Sequence, residues 1–176
     1  ELSDRLGRDD KFLRLLNENA SIKPQRVVFT EGDQYRILKA AEILLSAGTA
    51  VPIILGPEDR IHEIIEEYQL ELPGVQIIDV PKERAMREEF ALKLYELRKR
   101  RGWTLSECKS KVKTRDYFGS MMLREDKADA LISGLTVKYA TALRPILRTI
   151  GTTEGVSKAA GMYILLTTRG PMFFAD

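Results

Sequence analysis

Short runs of consecutive apolar residues alternate along this chain with longer stretches where apolar residues return every three or four positions. The runs at 26–30, 51–55, 75–78, 130–133 and 162–166 read as strands. Between them, Ile37, Leu38, Ala41, Leu44 and Leu45 form one stripe of a helix over 34–47, stopped by Gly48. Ile61, Ile64, Ile65 and Tyr68 mark a second helix opened by Gly56-Pro57. A long helix follows over 82–101, stopped by Gly102. Thr104-Leu105-Ser106-Glu107 has the pattern of a capping box for a short helix. Thr114 is placed to cap another over 117–124, and a last helix covers 139–150. Ahead of all these, apolar residues from Leu2 to Leu16 predict a helix over 2–19, broken near Gly7.

Strands that are apolar throughout and separated by helices predict an α/β fold. Its mostly parallel sheet is covered on both faces, as a three-layer sandwich. The terminal run Pro171-Met172-Phe173-Phe174-Ala175-Asp176 is strand-like, and a strand needs a neighbour for its backbone groups. With Glu1 rather than methionine at the start, the expectation is a piece of a longer protein.

Composition narrows the chemistry. The 176 residues are 44% hydrophobic and 31% charged, with net charge +2, which suits a globular domain and gives no global basic excess for nucleic acid. Cys108 is the single cysteine and His62 the single histidine, which excludes an internal disulfide, a thiolate metal cluster and a His-based triad. Both read as ordinary packed or surface residues. No apolar run approaches a membrane span and no signal peptide pattern opens the chain, so a cytoplasmic protein is expected. Neither G-x-G-x-x-G nor G-x-x-x-x-G-K-[ST] occurs, which leaves dinucleotide and P-loop sites without support.

Three places could carry chemistry. Glu31-Gly32-Asp33 follows the first strand, at the end of the sheet where open α/β folds bind ligands, although acidic residues at a helix start also suit its dipole. Arg98 lies among Leu94, Tyr95 and Leu97, where a guanidinium requires a fixed anionic partner. Its neighbours Lys99, Arg100 and Arg101 read as dipole complementation on a solvated face, and the run lacks the aromatic interleaving of a single-strand nucleic-acid site. Arg144, before Pro145 in what reads as a first helical turn, hints at an anion held between the guanidinium and the helix N-terminus.

The segments "RVVFTEGDQYRILKAAEILLSAGTAVPIILG", "LYELRKRRGWTLSE", "YFGSMMLREDKADALISGL", "ALRPIL" and "GPMFFAD" resemble, in order, the phosphate acetyltransferase/phosphate butyryltransferase family. The resemblance implies a phosphotransacetylase or isocitrate-dehydrogenase-like lobe, truncated. Residues 26–154 would form the first of two α/β lobes and 155–176 the opening strands of the second. In that family coenzyme A thiolate attacks the carbonyl of acetyl phosphate, and arginines hold the phosphoryl group and stabilise the tetrahedral intermediate. Arg98 in "YELRK" and Arg144 in "LRP" match two of them, and would converge at the Ser133-Gly134 turn to form an anion or acetyl-CoA site. A serine, an arginine and an aspartate of the family's site belong to its second half.

One stretch departs from the pattern. Transacetylases carry histidine and consecutive serines or threonines after the glycine of "SG", where this chain has Val137, Lys138, Tyr139 and Ala140. Gln34 likewise replaces an acidic residue usual in the family. Lys138, Tyr139 and Ala140 would alter the pocket, the ring filling space that a substrate needs. "GLTVKY" is similar to the transacetylase-like C-terminal region of large bacterial malic enzymes. This resemblance implies an oxidoreductase parent that decarboxylates malate with NADP or NAD and a divalent metal (Mg or Mn) in another module. Residues 1–25 would then be a linker helix from that module. The chain itself would be a silent regulatory domain that binds acetyl-CoA as effector and assembles at least as a dimer. It would have no catalytic residue or metal of its own and no nucleic-acid or membrane partner. The alternative is a fragment of an active phosphate acetyltransferase.

Overall fold

The computed structural model describes residues 8–167 and 170–175. The start of the first predicted helix, the break at Gly7 and the terminal Asp176 lie outside the described residues. The elements follow the predicted alternation: α1 (Arg8–Ile22), β1 (Gln25–Phe29), α2 (Tyr35–Ser46), β2 (Ala50–Leu55), α3 (Glu58–Glu67), β3 (Gln76–Ile78) and α4 (Arg84–Arg98). After these come α5 (Leu105–Lys111), α6 (Arg115–Arg124), β4 (Ala130–Ile132), α7 (Tyr139–Thr149), β5 (Met162–Thr167) and β6 (Gly170–Ala175).

β1 to β4 form a parallel sheet in the order β3-β2-β1-β4. Because successive side chains on a strand face opposite ways, one short apolar run feeds two cores. Val28 packs with Phe90, Leu94 and Phe118 beneath α4, α5 and α6, whereas Val27 and Phe29 pack with Leu38, Ala41 and Ile61 beneath α2 and α3. This is the expected three-layer arrangement. Helix α6 comes so close to the sheet that a β-carbon on Gly119 would lie 2.9 Å from Leu131 Cδ1 and 3.2 Å from Val28 Cγ1.

The long helix ends earlier than its apolar period suggests. α4 stops at Arg98, tightens into a 3-10 turn over Lys99–Arg101 and terminates at Gly102, whose φ of +82° suits glycine. Pro145 lies in the interior of α7 rather than in its first turn. Its ring leaves the preceding turn one backbone donor short.

The fifth strand departs from expectation. β5 does not join the parallel sheet but pairs antiparallel with β6, from Met162 opposite Ala175 to Thr167 opposite Gly170. Apolar side chains on both faces of this hairpin are open to solvent, Tyr163 at 73% and Phe173 at 58%. α1 lies against β6. No helix among the described residues is long and apolar enough to cross a membrane.

Candidate functional site

Strand order decides where to look. β1 leads to β2 and β3 on one side, and β4 then enters on the other side of β1, so the direction of winding reverses between β1 and β4. Open parallel sheets bind ligands outside the carboxyl ends of the strands at such a reversal. A cleft of about 380 Å³ lies at these strand ends, with Thr30, Gly56, Asp79, Lys113, Arg115 and Thr136 in its walls.

The turn that leaves β1 reaches across to the turn that leaves β4. The buried Glu31 carboxylate accepts N–H bonds from Gly134 at 2.9 Å, Leu135 at 2.7 Å and Thr136 at 2.7 Å, and a fourth bond from the Thr136 hydroxyl at 2.5 Å. Such a cluster of amides requires the chain to turn sharply, which Gly134 permits with φ +107°. Burial alone would raise the Glu31 carboxyl. The Thr136 hydroxyl and the three amides outweigh it and hold the group below its ordinary value. The amides after β4 therefore serve an internal carboxylate.

A second layer braces this one. Arg115, at the start of α6, donates to Asp33 at 2.7 Å, and Ser133 donates to Asp116 at 3.0 Å. Burial would raise Asp33, but the Arg115 hydrogen bond and charge prevail and lower it. Thr114 occupies the position before α6, yet its hydroxyl donates back to Lys111 and does not cap the helix. Thr30 is 1% exposed, and its hydroxyl has no hydrogen-bond partner among the described residues.

Arg98 is not brought to this cleft. It lies at the far end of α7, where its guanidinium donates to the carbonyls of Arg148 at 2.5 Å and Leu147 at 2.9 Å. Arg124 donates to the next carbonyl, Thr149, at 2.9 Å. The fixed anionic partner inferred for Arg98 is thus the negative end of a helix. Burial, followed by the charges of Arg101 and Arg148, lowers its affinity for the proton. Arg148 donates to the Tyr117 hydroxyl at 3.1 Å and lies 5.4 Å from the Trp103 ring centroid.

Arg144 is exposed near the middle of α7, without a hydrogen bond or ion pair among the described residues. The expected convergence of Arg98 and Arg144 on Ser133-Gly134 does not occur. The eleven residues of α7 span about 16 Å, and Arg98 caps the end away from that turn. Ser133 and Gly134 do reach the site, both already engaged by carboxylates. Lys138 precedes α7 and Ala140 is exposed. Tyr139 is 70% exposed, and its hydroxyl approaches Gly161 rather than the cleft. His62 is exposed, and Cys108 is buried, where desolvation raises its thiol.

Sequence reasoning missed Thr30, Lys113, Arg115 and Asp116. Only the reversal in strand order could have pointed to them. Among the described residues no group of three or more His, Cys, Asp or Glu side chains could hold a metal ion.

A profile of the family described as phosphate acetyl/butaryl transferase matches residues 11–176. The chain is 36% identical over 171 residues to the phosphate acetyltransferase of Thermoanaerobacterium thermosaccharolyticum, covering 94% of this chain and 51% of that protein. Its fold matches that of EutD phosphotransacetylase from Staphylococcus aureus with a TM-score of 0.82 and 27% identity, over 94% of this chain and 49% of the other. A phosphotransacetylase from Streptococcus pyogenes gives 0.79 and 26%, over 93% and 50%. The chain thus spans about half the length of these relatives.

These findings overturn the reading as a silent regulatory domain of a malic enzyme. That reading rested on the spacing of Gly134 and Tyr139, and Tyr139 is not a wall of the cleft. The relatives named are transacetylases, and nothing supports an oxidoreductase parent or a separate NAD(P) and metal module. The family profile also begins at residue 11, inside the segment expected to be a linker. The chain belongs to the phosphate acetyl/butaryl transferase family.

Proposed function

We propose that this chain serves phosphate acetyltransfer, the exchange of an acetyl group between phosphate and coenzyme A, and supplies the first lobe of the catalytic unit. The observation that carries this reading is the fold match to two phosphotransacetylases over nearly the whole chain, at identities above one quarter. Residues 26–154 are the first lobe, and the β5–β6 hairpin opens the second. The exposed apolar faces of the hairpin support that role, because an isolated two-stranded unit is marginal in water.

Acetyl-CoA enters as a substrate or product. Arg144 is the residue of α7 free to meet a phosphoryl group, since it is exposed and unpaired among the described residues. Arg98, Arg101, Arg124 and Arg148 gather at the end of α7 around backbone carbonyls and aromatic rings rather than carboxylates, which suits them to the phosphates of coenzyme A. Ser133 and Gly134 keep the intervening loop in place through Asp116 and Glu31. Assembly as a homo-oligomer belongs to the same reading.

The test is thioester formation from acetyl phosphate and coenzyme A by the protein as its gene encodes it. Turnover above a buffer blank is expected, with Arg144→Ala lowering kcat/KM by about 100-fold, the scale of one lost donor to a charged intermediate. No acetyl-CoA above the blank would overturn the reading.

A further inference from the structure

A second concentration of charge stands apart from α7. Arg84, Arg87, Lys109 and Lys113 line a groove between the start of α4 and the end of α5. Among the described residues its walls hold one carboxylate, Glu88, already held by Arg84 at 3.1 Å. α4 has no acidic residue in its first turn, and Glu83 at its N-cap makes no side-chain capping hydrogen bond. The Arg87 Nη2 donates to the Pro81 carbonyl at 2.8 Å, but its Nε–H is sealed from solvent without an acceptor. Lys109 and Lys113 are exposed and have no ion pair among the described residues. Four cations beside one carboxylate favour an added anion.

Lys113 is also a wall of the cleft at the ends of β1 and β2, so groove and cleft adjoin. In the wall of the cleft the Thr30 hydroxyl is buried without a partner, an arrangement that costs free energy unless the wall yields to something that pairs with it. Its carboxylates are differently placed. Asp79 has Lys82 at 3.4 Å, Asp116 has Ser133, and Glu31 has its amides.

We propose that groove and cleft together bind an organic phosphate, a phosphomonoester with a hydroxylated body. Its phosphate lies among Arg87, Lys109 and Lys113, and its body reaches the cleft, where a hydroxyl pairs with Thr30. Charge-assisted bonds to the phosphate supply most of the attraction and make it salt-dependent. The hydroxyl contact supplies discrimination, because a neutral bond adds little net affinity but an unpaired buried group is costly. The site stands whether or not the transferase reading holds, since none of its residues lies on α7.

Calorimetric titration at low ionic strength, with ribose 5-phosphate, inorganic phosphate and ribose as probes, tests this on the full protein. Ribose 5-phosphate is expected to saturate one site, and ribose alone not to bind. The double variant Lys109→Gln/Lys113→Gln weakens it by about tenfold or more. Both lysines are exposed, so melting curves should coincide with those of the parent. Thr30→Val weakens ribose 5-phosphate by about threefold to fivefold and leaves inorganic phosphate unchanged. Absence of saturable ribose 5-phosphate binding overturns the proposal, as does unchanged affinity in the double variant. Equal effects of Thr30→Val on both phosphates would remove the cleft from the site and overturn it as stated.

Discussion

The two ends of α7 are held by groups of opposite charge. Before its first turn, the loop amides of Gly134, Leu135 and Thr136 converge on the Glu31 carboxylate. At its last turn, the carbonyls of Leu147, Arg148 and Thr149 receive the guanidiniums of Arg98 and Arg124. The second follows the rule that helix termini leave polar groups to be satisfied from outside, with the dipole selecting the sign, whereas the first is a nest of loop amides ahead of the Lys138 cap. They differ in what they connect. Glu31 comes from the β1 turn and lines the cleft, whereas Arg98 comes from α4 and joins helix to helix. Damage to the first end should therefore reach the cleft, and damage to the second should leave the cleft undisturbed.

The largest expected effect breaks the first end from behind. A β-carbon on Gly32 would lie 2.2 Å from Ile54 Cγ2 and 2.9 Å from the Leu55 carbonyl oxygen. Backbone cannot yield as a flexible side chain does, so Gly32→Ala must shift the turn that carries Glu31. A loss of about 3 kcal/mol is expected in urea unfolding, together with faster amide exchange at Gly134 to Thr136. Parental stability would show that the turn relaxes freely.

Glu31→Gln is milder and more specific. The amide keeps one acceptor oxygen but turns an –NH₂ group toward backbone donors, for an expected loss of about 2–3 kcal/mol at neutral pH. The sign with pH follows from the lowered carboxyl. Its contribution is full above the ordinary value of 4.5 and is lost as pH falls through the depressed folded value. The gap between parent and variant should hence close in acid. A gap constant from pH 7 to 3 would assign the effect to shape and not to charge.

These two ends also show what could be read from the order of residues. The strands were legible because each is apolar without interruption, as both faces of the sheet are covered. The same property hid the fate of the last one, since a two-sided apolar strand looks alike in a parallel sheet or a hairpin. Arg98 declared its need of a partner through its apolar neighbours. That the partner would be carbonyls 49 and 50 positions further on is a matter of helix packing that no local pattern records. Likewise Arg115 and Asp33 meet across 82 positions. Glu31 was legible as a strand-end acid, but its role as acceptor for the opposite turn depended on the strand order.

At the second end, Arg98→Met keeps the apolar stem and removes the donors. Two carbonyls in a half-buried place lose their partners, for an expected cost of about 2 kcal/mol. Amide exchange at Gly134 to Thr136 should remain at the parental rate. Accelerated exchange there would show that α7 transmits damage along its length and would erase the contrast between its ends.

The smallest expected effect gives the sharpest contrast. Arg148 shares the end of α7 with Arg98 but lies against aromatic rings, 5.4 Å from the Trp103 centroid and hydrogen-bonded to Tyr117. Arg148→Gln removes one cation–π contact and weakens one hydrogen bond, together about 1 kcal/mol. Trp103 is the single tryptophan, so its emission reports on this end alone. Water entering where the guanidinium lay should move that emission to longer wavelength in the folded variant. Glu31→Gln, acting at the other end, should leave it at the parental position. An emission shift in Glu31→Gln before unfolding, or none in Arg148→Gln, would mean that the two ends of α7 do not respond separately.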